Sequence, residues 1–373
     1  METLPNGLKV LVRPNSASSV VTLDMWVNTG STREKPALNG VSHFLEHMLF
    51  KGTEKYGVNE IDRMIEGVGG LWNAGTSRDF THYYLTLASR YFDLGLEAIS
   101  EVIQHSSLDA GELDKERLVI LEEYRRKQDS PGGLLWEKVY DVAYRRSPYR
   151  ASILGTEDTI RGISREGMND YYCRHYAPGN MLFVVAGDVG ESEVLGKIRE
   201  SFADFSRPFR PYDGLDDGEE RSEGQEQMIP KDVQETYGAW VFAAPGIVDI
   251  EDVLACDIAA VAVGQGRSSR LYRSIKEEKQ LVSTIGCAYP SHRKSGLLVI
   301  LSTFDYAQKE SVETALREEL EKFAEQGPTD KELAKAKRML INSHYFAKET
   351  TSGQSGLLGY FYTLTGSLEF EER

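Results

Sequence analysis

Residues 39 to 52 constrain the chain more than any other stretch: Asn39-Gly-Val-Ser-His43-Phe-Leu-Glu46-His47-Met-Leu-Phe-Lys-Gly52. Read as a helix, a rotation of about 100° per residue brings His43, Glu46 and His47 to one face. Phe44, Leu45, Met48 and Leu49 spread over the remainder and can fill a core. Imidazoles at i and i+4 can close on one zinc ion, and the carboxylate three residues after the first histidine stands where it can take a proton from a water at that ion. The order H-x-x-E-H inverts the commoner H-E-x-x-H zinc helix.

Such a helix needs a layer to cover its apolar side, and its flanks supply one. Leu8 to Pro14 and the β-branched, aromatic run Val20 to Asn28 read as strands, the second of them central. Leu71 to Leu87 reads as two strands or one bent strand, with Phe80, His82 and Tyr84 on one side. His82 is a possible fourth ligand, although a histidine among alternating aromatics is more often a packed sheet residue.

The chain of 373 residues exceeds one ordinary core and implies two domains of roughly 150 to 200 residues. Its net charge of -15 argues against a nucleic-acid surface or an anionic membrane as main partner, since both would be repelled. No apolar run approaches the roughly eighteen residues of a membrane span. Cys173, Cys256 and Cys287 are widely spaced, as expected of buried thiols in a reducing compartment, and a cytoplasmic or organellar-matrix location is expected.

Helices are expected over 91 to 107, over 108 to 127, through Trp136 to Tyr140, over Arg165 to His175 and over Glu191 to Phe202, with a buried strand from Asn180 to Asp188. The helix opened by Asp109 carries Glu116 and Glu123, seven residues and about two turns apart on one face. A carboxylate from a second helix is what an open His, His, Glu zinc site lacks. Residues 1–205 thus form a first domain, and 206–233, with its acidic run Asp213 to Glu226, an exposed linker. Residues 234–373 restart the pattern: Thr236-Tyr-Gly-Ala-Trp-Val-Phe-Ala-Ala244 echoes Val21-Thr-Leu-Asp-Met-Trp-Val27, and the helix that follows carries no histidine. The second domain is therefore expected to have no metal site.

The pentad together with Glu123, seventy-six residues beyond His47, resembles the zinc peptidase family that includes pitrilysin, insulin-degrading enzyme and the mitochondrial processing peptidase. Phe44-Leu-Glu-His-Met-Leu-Phe-Lys-Gly-Thr53, Asn73-Ala-x-Thr76, Ala177-Pro-Gly-Asn180 and Gly266-Arg-Ser-Ser-Arg-Leu271 resemble its processing-peptidase branch. The resemblance implies an α+β fold of two homologous domains, each a mostly antiparallel sheet with helices packed on one face, the chain forming half of a clam-shell dimer. It implies one zinc ion per chain held by His43, His47 and Glu123, Glu46 as general base, and Glu116 orienting a ligand from behind. It also implies that Asn73, Ala74 and Thr76 meet an extended peptide substrate.

Two departures bear on partners. Self-sufficient members carry an arginine and, seven residues later, a tyrosine in the second domain, where Lys276 and Ser283 stand here. The expectation is the metal-bearing subunit of a heterodimer whose homologous partner supplies that pair; a self-sufficient homodimer and a non-catalytic structural subunit are the alternatives. Family chains also continue past the Thr363 to Leu368 region, so the second domain is expected to lack its last helix and strand.

Overall fold

A computed structural model describes residues 1–212, 220–221 and 224–372. In chain order its strands are β1 (Glu2–Thr3), β2 (Lys9–Pro14), β3 (Val20–Val27), β4 (Leu71–Thr76), β5 (Thr81–Ala88), β6 (Tyr144–Arg146), β7 (Met181–Gly187), β8 (Glu220–Arg221), β9 (Thr236–Pro245), β10 (Thr284–Ala288) and β11 (Ser295–Phe304). The helices are α1 (Val41–Leu49), α2 (Glu60–Gly67), α3 (Phe92–His105), α4 (Ala110–Asp129), α5 (Pro131–Ala143), α6 (Glu157–Gly162), α7 (Arg165–His175), α8 (Glu191–Ser201), α9 (Ile250–Gly264), α10 (Lys309–Gln326), α11 (Asp330–Ala347), α12 (Thr351–Thr365) and α13 (Glu369–Glu372). No helix among the described residues is long and apolar enough to cross a membrane.

Two compact units result. Met1–Arg125, Ala151–Asp217 and Ala347–Arg373 build the first; Arg126–Arg150 and Gly218–Phe346 build the second. Two stretches thus join the unit that their place in sequence does not suggest, and apolar packing is the reason. Val139 and Tyr140 of α5 cluster with Leu297 and Val299 of β11, while Leu358 of α12 clusters with Trp26, Leu182 and Val184 of the first sheet. Of the acidic run expected in the linker, residues 213–219, 222 and 223 lie outside the described residues.

The first unit holds a six-stranded sheet in the order β1-β2-β7-β3-β5-β4, antiparallel throughout except for the parallel pair β2 and β7. The second holds a three-stranded antiparallel sheet, β10-β11-β9. Both are mixed or antiparallel sheets with packed helices, as expected, but the helices of the first sheet do not keep to one face. Val21, Leu23, Met25 and Val27 of β3 turn to the core that contains α1 and α3, whereas Trp26 turns to the α12 side. The strand is buried on both sides because its outward polar residues are used: Thr22 Oγ1 bonds Thr351 Oγ1 at 2.8 Å, and Ser355 Oγ donates to Asp24 Oδ2 at 3.3 Å.

Among the cysteines, the expectation of three buried thiols holds for Cys287 alone. Cys173 is exposed on α7 and Cys256 is half-buried, and all three are free.

Candidate metal centre

The short helix α1 begins at Gly40, whose φ of 95° suits glycine and whose missing side chain leaves the helix without a local cap. Glu34 replaces it from six residues upstream. Its Oε2 accepts from the Gly40 backbone N–H at 2.7 Å and from Asn39 Nδ2 at 2.8 Å, and its Oε1 accepts from the Ser42 N–H at 2.8 Å. These bonds satisfy donors that a helix start leaves open, and the negative charge sits at the positive end of the peptide dipoles. No capping-box spacing announces this in the sequence.

Below the helix, Ser42 Oγ meets the Tyr171 hydroxyl at 2.7 Å, which meets Thr29 Oγ1 at 2.7 Å, which meets His175 Nδ1 at 3.2 Å. His175 is fully buried, and burial first, then the Arg33 and Arg174 charges, pushes its pKa down to about 4. In the unfolded chain it titrates near 6.5, so as pH falls the unfolded state takes the proton first. Stability is then unaffected above about 6.5 and lost progressively down to about 4, by about 3 kcal/mol in all. Urea midpoints between pH 7 and 4.5 test this: wild type should lose more stability than His175→Gln, and parallel losses would refute it.

Phe44, Leu45, Met48 and Leu49 seat α1 in the core and leave Glu46 and His47 at its open side. Asp109 opens α4 by accepting from the N–H groups of Gly111 and Glu112. Arg117 fixes α4 across α1: its guanidinium lies 5.4 Å from the Phe44 ring centre and donates to the Ile163 carbonyl at 2.9 Å. Glu116 and Glu123 consequently face the histidines.

Glu123 Oε2 lies 3.6 Å from His43 Nε2 and 3.9 Å from His47 Nε2, and one ligand atom from each residue falls within 4.8 Å of the others. A tetrahedral zinc with bonds of about 2.0–2.1 Å needs donors about 3.4 Å apart, so the nitrogen, nitrogen, oxygen set fits such an ion with little adjustment. It is the one group of three or more metal-ligating side chains found among the described residues. Three protein donors leave a position open, the pattern of a catalytic rather than a structural zinc.

Glu116, nearly buried, accepts from His47 Nδ1 at 2.8 Å and so fixes the ring with Nε2 toward Glu123. Glu46 accepts a hydrogen bond from the Thr76 hydroxyl of β4. Burial pushes the Glu46 carboxyl above its ordinary range, against the opposing pull of Thr76 and His47. Thr76, expected with Asn73 and Ala74 to meet a substrate, thus also supports the Glu46 carboxylate. Asn73 is exposed on β4, where its Oδ1 accepts from the N–H of Ala74 at 2.9 Å. The strand pairs with β5 on one side only and is the sheet's edge. His82 belongs to the opposite side of the sheet, beside Trp26, with Nδ1 3.1 Å from Asp24 Oδ1.

Two family models meet this chain, "Insulinase (Peptidase family M16)" over residues 9–157 and "Peptidase M16 inactive domain" over residues 162–340. The chain belongs to the M16 metallopeptidase superfamily. Its pentad and Glu123 all fall within the first M16 match, and the second match covers the greater part of the second unit's sheet and helices. An uncharacterized zinc protease of Bacillus subtilis, YmxG, is 27% identical over 98% of this chain and 88% of its own. A probable mitochondrial-processing peptidase subunit beta of Arabidopsis thaliana is 32% identical over 55% of this chain and 38% of its own. Among solved structures, a protease from Helicobacter pylori matches the M16 fold here with a TM-score of 0.89 at 24% identity, over 100% of this chain and 91% of that one.

Proposed function

We propose that this chain is a zinc-dependent endopeptidase subunit that hydrolyses short or unfolded peptides, presequences among them, held in extended form. The convergence of His43, His47 and Glu123, with Glu46 beside them tied to an edge strand, carries the proposal. A zinc ion there supplies Lewis-acid polarisation of the scissile carbonyl and a water of lowered pKa. Glu46 takes the proton of the attacking water and returns it to the leaving amine, and its upward-shifted carboxyl suits a group that must do both. Glu116 keeps the His47 ring in place. The free edge of β4 pairs with the peptide backbone as an added strand, with Asn73, Ala74 and Thr76 at contact positions, so binding tolerates most side chains.

The chain works in this reading with a homologous partner, the two enclosing a chamber. Lys276 donates to the Ser283 carbonyl, and the Ser283 hydroxyl donates to Glu235, so both groups are engaged within their own unit. An amine lacks the guanidinium fork and a serine lacks a phenol's reach, so neither replaces an arginine and tyrosine at a developing oxyanion. The Arabidopsis relative, named as a probable subunit of a processing peptidase, fits the same reading.

The test is peptidase activity of the purified chain on an unfolded peptide library, with oligomeric state and zinc content measured together. One zinc per chain with little turnover alone is expected. Full-rate cleavage by a homodimer would overturn the heterodimer, and failure to bind zinc would overturn the metal reading itself.

A further inference from the structure

Glu116 has a second partner that the family reading does not use. Its Oε1 receives the His47 Nδ1 bond at 2.8 Å, while its Oε2 receives Lys51 Nζ at 2.7 Å. The Glu116 side chain is only 8% exposed, so without a donor on Oε2 its carboxylate would carry charge unpaired where water has little access. Lys51 reaches it because the chain turns once more after α1: the Phe50 N–H donates to the His47 carbonyl at 3.2 Å and the Lys51 N–H to the Met48 carbonyl at 3.0 Å. That turn keeps Lys51, four residues after His47, on the side of the helix where His47 and Glu116 meet.

A glutamate has three rotatable side-chain bonds, and a single bond to an imidazole leaves the carboxylate plane free to swing. Two bonds, one on each oxygen, fix it. We infer that Lys51 is a positioning residue for the metal centre: it locks Glu116, which in turn locks the His47 ring with Nε2 aimed at His43 and Glu123. The point charge of an ammonium fits this single contact, and a guanidinium in its place would demand a second acceptor.

The inference rests on the reading of His43, His47 and Glu123 as zinc ligands, so its test measures zinc directly. Zinc affinity is taken by competition with a chelator, and ligand geometry from the visible spectrum of the cobalt-substituted protein. Lys51→Met should weaken zinc about tenfold, the loss usual when a ligand's supporting partner is removed. It should keep one zinc per chain, alter the cobalt bands and lower the melting temperature of the metal-free protein, because Glu116 loses a partner for its buried charge. Glu116→Gln should weaken zinc at least as much, and the double variant no more than Glu116→Gln alone, because Lys51 acts through Glu116. Unchanged affinity in Lys51→Met, or losses that add in the double variant, would overturn the inference while leaving the ligand set intact. A wild-type chain that binds no zinc would overturn the ligand set, and the role of Lys51 with it. If Lys51→Met does not fold, Lys51→Ala, which likewise leaves Glu116 Oε2 without a side-chain donor, serves in the same cycle with the same expectations.

Discussion

Glu46→Gln should lower kcat/KM on an unfolded peptide by about a hundred- to ten-thousand-fold, the range that a positioned general base contributes. Zinc content should stay at the wild-type level, because Glu46 is not among the three residues whose donor atoms converge. The amide is the same size, and its oxygen can still accept from the Thr76 hydroxyl, so β4 should stay in place. The comparison requires the active assembly, whichever partner completes it, and pairs kinetics with metal analysis. Residual activity within about tenfold of wild type would exclude a proton-transferring role. Loss of zinc along with activity would instead make Glu46 part of the binding site.

The second large effect lies far from the metal. Gly359 packs α12 against Trp26 so closely that a Cβ would sit 2.1 Å from the indole Nε1 and 2.2 Å from Cε2. The ring is 3% exposed and cannot move aside without displacing Phe80 and His82, whose rings lie against it. Gly359→Ala should therefore cost about 3 kcal/mol, the upper end of ordinary overpacking, and lower the melting temperature by roughly 6–12 °C. Gly356 is its control. A Cβ there meets nothing within 4 Å, so Gly356→Ala should be neutral or stabilising by up to about 1 kcal/mol through helix propensity. Equal effects at the two positions would mean that composition of the helix, and not its fit against Trp26, sets the cost.

These two sites mark what can and cannot be read in the sequence. His43, Glu46 and His47 were legible because helix period alone puts them on one face; the second charged helix offered more than one carboxylate, and it was the resemblance to a known family that pointed to Glu123 among them. Lys51 and Glu34 were not, since each acts through a contact that depends on how the chain bends after or before α1. The helix α12 was not legible either: Thr351-Ser-Gly-Gln-Ser-Gly-Leu-Leu-Gly359 has the composition of a loop. It is helical where its small residues fit the ring of Trp26 and its hydroxyls bond Thr22 and Asp24, interactions that local propensity does not contain. The same contacts explain why helices cover both faces of the first sheet. In sequence Thr22 and Asp24 look like the wet side of a half-buried strand; with Thr351, Ser355 and His82 as partners they can be covered.

The exchange of α5 and α12 between the sequential halves also sets an order of events during synthesis. The bond between Thr22 and Thr351 spans 329 residues, so the Trp26 side of the first sheet stays bare while nearly the whole chain emerges from the ribosome. Meanwhile α5, made early, has no sheet of its own to cover until β9 and β11 appear. The first sheet cannot be covered when its strands exist, and α5 cannot be covered until later strands appear, so each carries an apolar surface that must be kept from other chains in the interval. Cooperation between the two halves is thus written into the path of the backbone, before any metal or peptide arrives.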